Sequence, residues 1–170
     1  MNPALRIIFL LALFTGFSCE EELPFNKVPT DPAELIEYNK FKTTIEQGLS
    51  GTLLFSEGQC GPALDTNAHC SIYPVSRKIR LYEFTVMDQT EPGEGTFFTE
   101  VDTKLIGTTQ SDETGFYQIA LQPGRYSMFI EENGLLYANG VGNDGGILVS
   151  VVDSGWVTMT HPEITYKADY

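Results

Sequence analysis

The chain is 170 residues long and sets 10 Lys plus Arg against 23 Asp plus Glu, a formal net charge of −13, with 42% hydrophobic and 12% aromatic residues. That balance argues against nucleic acid as a partner, because affinity for phosphate comes from clustered Lys and Arg that release counterions. Apolar residues spread along the chain supply one core and exclude global disorder.

Residues 1–18 have the three regions of a secretory signal peptide: Arg6, the apolar run Ile7 to Phe14, and Thr15-Gly16-Phe17-Ser18 ahead of Cys19. The run is too short for a bilayer core of about 30 Å, which makes a transmembrane helix the weaker reading. Gly16-Phe17-Ser18-Cys19 resembles the lipobox of bacterial lipoproteins, with Phe17 bulkier than the usual residue there. The resemblance implies cleavage before Cys19 and lipidation of its thiol and new amine. Each buried CH₂ then contributes about 0.8 kcal/mol, and two or more acyl chains anchor a protein to a membrane without a spanning helix. Glu20-Glu21-Glu22 directly after it resembles the export signals of surface lipoproteins of the Bacteroidetes group. The expected location is therefore the outer membrane, exposed at the cell surface, with a periplasm-facing orientation as the alternative. With Cys19 lipidated, Cys60 and Cys70 remain as an even pair in an oxidising compartment, and a disulfide is the default. Its turn-rich loop of about ten residues corresponds to a stabilisation of roughly 3 kcal/mol. A metal site of Cys60, His69 and Cys70 is the weaker alternative, since adjacent His-Cys side chains diverge and no fourth ligand is near.

Residues 19–30 read as an acidic tether containing Pro24 and Pro29. Asp31 as N-cap, Pro32 at the first helical position and Glu34 behind it predict a short helix over 32–47. Leu35, Tyr38, Phe41 and Ile45 share its apolar face, and Gly48 stops it. A rival reading starts a first strand at 42–45, where Thr43, Thr44 and Ile45 favour extended backbone. Beyond Gly48 the period changes to two. Strands are expected at 51–56, 77–87, 105–109, 116–121, 125–131, 135–137 and 147–152, with a last stretch over 156–160 that resumes at 164–168. Seven to eight short strands at this spacing predict an all-β fold, an antiparallel β-sandwich over 49–170 with a short N-terminal helix.

The most informative stretch runs from Thr108 to Tyr126. Asp112 is placed to accept backbone N–H bonds within a turn, and Gly115 to take a positive φ at its exit. Tyr117, Ile119 and Leu121 then alternate onto one face. Pro123-Gly124 reverses the chain, and Tyr126, Met128 and Ile130 alternate in turn to meet them. Thr109-x-x-Asp112-x-x-Gly115-x-Tyr117 followed by Leu121-x-Pro123-Gly124-x-Tyr126 resembles the carboxypeptidase regulatory-like domain, a transthyretin-like sandwich. Gly51, the strand from Lys78 to Tyr82 and the closing segment from Ile164 extend the resemblance over 49–170. The insert 56–75 holding the cysteine pair departs from it. The resemblance implies a non-catalytic module.

The residues agree with that implication. His69 and His161 are far apart, and no Gly-x-Ser-x-Gly, His-Glu-x-x-His or phosphate-cradling glycine loop occurs. The chain lacks the Tyr-Arg-Gly-Ser ending of transthyretin-like hydrolases of hydroxyisourate. The lysine that an isopeptide-forming relative carries on its first strand is also missing. Asn143-Asp144-Gly145-Gly146 and Asp112-Glu113 offer hard oxygens for calcium, but neither completes an EF-hand loop, so turn and solvation roles are expected. No cofactor is expected.

With Ile79, Leu81, Tyr117 and Met128 pointing inward, Tyr82, Phe84, Phe116 and Phe129 point to the opposite face of their strands. Such an aromatic face is a candidate platform for a sugar ring or partner strand. The favoured alternative lays the segment 32–47 across it. The expected role is a lipid-anchored structural or binding module with an envelope protein or glycan as partner. Accessory glycan or nutrient capture beside an outer-membrane transporter is the second reading, and a hydrolase with an unrecognised site the third.

Overall fold

The computed structural model describes residues 27–62 and 69–170. The leader, Cys19, the Glu20-Glu21-Glu22 run and the middle of the loop between Cys60 and Cys70 lie outside the described residues.

Among the described residues one α-helix, α1, spans Pro32–Lys40. The Asp31 carboxylate accepts the backbone N–H groups of Ala33 (2.9 Å) and Glu34 (3.1 Å), the cap expected from the sequence. The helix stops seven residues short of the expected end at 47, and the rival strand over 42–45 does not form either. Tertiary hydrogen bonds take the difference. The Thr44 N–H donates to Gln118 Oε1 (2.9 Å), Thr43 Oγ1 bonds Ser50 Oγ (2.7 Å), and Gln47 Nε2 donates to the carbonyl of Leu121 (2.7 Å). Pinned to two strands, this segment cannot coil, and its β-branched run gives a helix little to lose.

In chain order the described strands are Gly48–Thr52 (β1), Leu54–Gln59 (β2), Cys70–Pro74 (β3), Lys78–Glu83 (β4), Thr90–Pro92 (β5), Phe97–Val101 (β6), Leu105–Gln110 (β7), Phe116–Ala120 (β8), Gly124–Glu132 (β9), Leu135–Tyr137 (β10), Val149–Val152 (β11), Val157–Met159 (β12) and Glu163–Asp169 (β13). The fold is an all-β sandwich. It contains more and shorter strands than expected, with β3, β5 and β6 unforeseen.

The first layer is built on β1 and β2, a strand bent at Leu53. β12 and β13 run parallel along one side of it, and β8 and β3 antiparallel along the other. The bend is tied by Leu53 N–H to the Gly115 carbonyl (2.8 Å) and Leu54 N–H to the Pro162 carbonyl (3.1 Å). The second layer has the order β5-β6-β10-β9-β4-β7, with β11 paired to β9. Gly51 lies where β1 crosses the incoming chain. A Cβ there would stand 1.6 Å from the carbonyl oxygen of Thr160, so only glycine lets the two backbones meet.

The main core fills the space between the layers. Leu49, Leu53, Phe55, Tyr117 and Ile164 of the first meet Ile79, Leu81, Met128 and Ile130 of the second. The alternation of β4, β8 and β9 read from sequence points these residues inward. A second core forms on the opposite face of β4 and β9, where Tyr82 and Phe129 meet Phe98 of β6, Leu136 of β10, and Ala138 and Ile147 of the connection that follows. Leu148, at φ 39°, packs against both clusters.

Candidate functional site

The four residues of the aromatic face share no common surface, which corrects the platform expected of them and leaves the segment 32–47 covering only Phe116, through Lys42. Phe129 is fully buried and Tyr82 nearly so, edge-to-face at 5.5 Å between ring centroids. Their cover is β6, β10 and the segment through Ile147. Helix α1 packs elsewhere, against β1 and β3, by Leu35 and Asn39, while Phe41 stays exposed. Phe84 and Phe116 are half-buried, each beneath a cation. The Arg125 guanidinium lies 4.1 Å from the Phe84 ring centroid, and Lys42 Nζ 4.7 Å from that of Phe116.

The Asp112 turn is a hub. Asp112 Oδ1 accepts from Thr114 N (2.8 Å), Thr114 Oγ1 (2.7 Å) and Phe116 N (3.0 Å), and its other oxygen pairs with Lys42. Burial pushes this carboxyl up, but the bonds from Lys42 and Thr114 outweigh it and hold the pKa below its ordinary value. Gly115 takes φ 73° at the exit, where a Cβ would meet the Leu53 carbonyl oxygen at 2.4 Å. Asn39, buried in α1, donates to the Thr114 carbonyl (2.8 Å) and Thr52 Oγ1 (2.9 Å), and its Oδ1 lies 2.9 Å from Thr114 Oγ1, whose one proton it shares with Asp112. The turn that carries the family resemblance thus docks the helix on the sandwich.

The other candidates are also spent on structure. Cys60 and Cys70 form a disulfide with their Cα atoms 4.7 Å apart, closing the end of the β2–β3 pair, so neither thiolate is available to a metal. Among the described residues no group of three or more His, Cys, Asp and Glu is placed to hold one. Asp144 is held below the ordinary carboxylate range by the Gly146 N–H and then by Arg125. His161 Nδ1 accepts the Thr52 N–H at 3.1 Å. Burial first, and the charge of Lys40 second, lower its pKa against an opposing pull from Glu37. No described helix is long and apolar enough to cross a membrane.

Two concavities among the described residues bear on function. One, of about 370 Å³, exposes Lys78, Arg80 and Thr99 around Glu131. Glu131 pairs with both cations, and the hydrogen bond from Lys78 leads in lowering its pKa against burial. The other, of about 440 Å³, is lined by Glu94, Gly95, Thr96, Phe97 and Tyr166. Its rings are braced from behind. Phe97 and Tyr166 meet edge-to-face at 5.1 Å, and Phe97 also packs on Tyr137 at 5.4 Å. The Tyr166 hydroxyl donates to the buried Glu132 (3.2 Å), whose second oxygen accepts from Arg77 Nε (2.5 Å). The Tyr137 hydroxyl accepts the Thr165 N–H (2.8 Å).

Sequence reasoning missed this cleft, since Phe97 lies on an unforeseen strand. The available signal was Gly93-Glu94-Gly95, a turn composition opening onto Phe97-Phe98. The geometry defines an all-β sandwich with a polar hub at one turn and an aromatic cleft at another. No protein-family model matches the chain, and no curated protein or solved structure matches it.

Proposed function

We propose that this chain is an exported, lipid-anchored β-sandwich module of the carboxypeptidase regulatory-like kind, with a non-catalytic structural or binding role in the cell envelope. The observation that carries the reading is the use made of the motif residues. Asp112 closes a turn, Gly51 and Gly115 admit close backbone, and the Tyr117 hydroxyl donates to the Thr160 carbonyl at 2.9 Å. Residues spent in this way build a scaffold rather than a nucleophile–base pair. The disulfide supports an oxidising compartment. The Cys19 motif supplies the anchor and the acidic tether its spacing from the membrane.

Metabolic labelling with an alkyne fatty acid tests this. Label is expected on the wild-type chain in the membrane fraction and absent from Cys19→Ala, which should be released from membranes. Protease treatment of intact cells then separates surface display, where the sandwich is cut or shed, from a periplasm-facing orientation, where it is protected. An unlabelled wild-type chain overturns the anchor. Capture of a glycan or nutrient beside an outer-membrane transporter is the second reading, and the braced cleft at Phe97 and Tyr166 favours it.

A further inference from the structure

We infer that the cleft between the β5–β6 turn and Tyr166 is a binding site for a neutral saccharide, with a sugar ring against Phe97 and Tyr166 and its hydroxyls on Glu94 and Thr96. This rests on the reading of the chain as a binding module and assigns that module its site and ligand class. The cavity, about 440 Å³, lies within the range of roughly 300–1,000 Å³ usual for small-molecule pockets. Its aromatic wall is set before any ligand arrives. Tyr166 is tied through Glu132 to Arg77, and Phe97 is wedged between Tyr166 and Tyr137. A preformed wall spares a weakly bound ligand the cost of ordering it.

Charges of both signs border the cleft, so a ligand of either charge meets a like charge there as well as an opposite one. Lys167 Nζ already stands 5.8 Å from the Tyr166 ring centroid, so an ammonium ligand would meet a like charge there. The exposed Glu94 repels a carboxylate or phosphate in the same way. An acyl chain would desolvate Glu94 and Thr96 without replacing their hydrogen bonds. A neutral polyol satisfies all three conditions. Its C–H faces cover the rings, its hydroxyls donate to the carboxylate, and no net charge is brought in. Elsewhere the chain covers its half-buried rings with its own cations, as at Phe84 and Phe116, whereas Phe97 faces an open cavity.

The test is calorimetric titration of the full chain in lipid nanodiscs with four neutral hexasaccharides (maltohexaose, cellohexaose, xylohexaose and mannohexaose), with choline and octanoate as contrasting probes. At least one hexasaccharide is expected to bind saturably. Glu94→Ala and Thr96→Val should each weaken it by about tenfold, the scale of one lost hydrogen bond to a charged or well-placed group. Both side chains sit on the cleft rim, so the thermal midpoints of these variants should match the wild type. Tyr166→Phe, which keeps the ring and cuts its tie to Glu132, should retain binding at reduced affinity. The saccharide site is overturned if none of the four sugars binds, or if binding is indifferent to both rim variants. It is also overturned if choline or octanoate binds in their place with dependence on Glu94, an outcome that would leave the binding-module reading standing. Fatty-acid labelling at Cys19 reports on the anchored module independently of any sugar result.

Discussion

The same two strands, β4 and β9, serve two cores, and the cores differ in how they arise. On the inner face Ile79, Leu81, Met128 and Ile130 meet residues of the first layer, as in any sandwich. On the outer face Tyr82 and Phe129 are enclosed by their own sheet, which carries Phe98 and Leu136 on β6 and β10, and by the connection through Ile147 that returns over them. An outward-facing aromatic row is therefore not by itself a ligand platform. What decides is whether the chain comes back across it. Leu148, in contact with both clusters, holds a left-handed backbone whose strain costs about 1–3 kcal/mol, which the packing on its two sides offsets.

The comparison breaks most directly at Phe129. If the outer cluster is a core, Phe129→Ala should cost about 3–5 kcal/mol in urea unfolding, as much as Met128→Ala on the inner face. A loss below about 1 kcal/mol would mean that the outer face is a loosely covered surface. The next effect belongs to the first layer alone. Replacing Cys60 and Cys70 by Ala should lower stability by about 3 kcal/mol through the freed loop, measured as the difference in unfolding midpoint.

Asn39→Ala should cost about 2 kcal/mol, because it strands polar partners on Thr52 and Thr114 in a buried position. Its site is the α1 hub, remote from the outer cluster. Asn39→Ala and Phe129→Ala should therefore add within about 0.5 kcal/mol, and strong coupling between them would show that the two cores are one.

The smallest expected effect is on pH dependence. The folded pKa of His161 lies below its unfolded value, so on acidification the unfolded chain takes up a proton first. The stabilisation tied to neutral His161 is complete above about pH 6.5 and is lost as pH falls toward the folded pKa. Wild-type unfolding midpoints should thus drop between about pH 7.5 and 5.5 more steeply than those of His161→Gln. Parallel curves would show that this histidine keeps its solution pKa.

Lys42→Met adds a check on the polar side of the molecule. With the Lys42 and Asp112 side chains 25% and 46% exposed, solvent screening limits the loss to about 1 kcal/mol or less. A larger loss would promote the pair from a trim on the Asp112 turn to a main support of α1.

Much of the sandwich was legible in the amino-acid order because its signals are local. Asp31-Pro32 starts a helix, Asp112 through Gly115 closes a turn, and period-two alternation in β4, β8 and β9 assigns the inner face. The cysteine pair was legible for a similar reason, as two thiols in a short turn-rich loop. The strands β3, β5 and β6 were not, since Cys70–Pro74 and Thr90–Pro92 are short and carry weak alternation. β3 and β5 are held by their neighbours β2 and β6, and β6 by β10, a partner distant along the chain. The end of α1 was illegible for the same reason, since Ser50, Gln118 and Leu121 claim the residues beyond it.

The amino-acid order alone thus determined the period, the turns, the inner face and the acidic character, all of which depend on neighbours a few residues apart. Only the tertiary structure decided which outward rings are buried, which are capped by cations and which line an open cleft. Those outcomes depend on where chain segments far apart in sequence come to rest: β6 and the Ile147 segment over Phe129, Lys42 over Phe116, and Tyr166 beside Phe97.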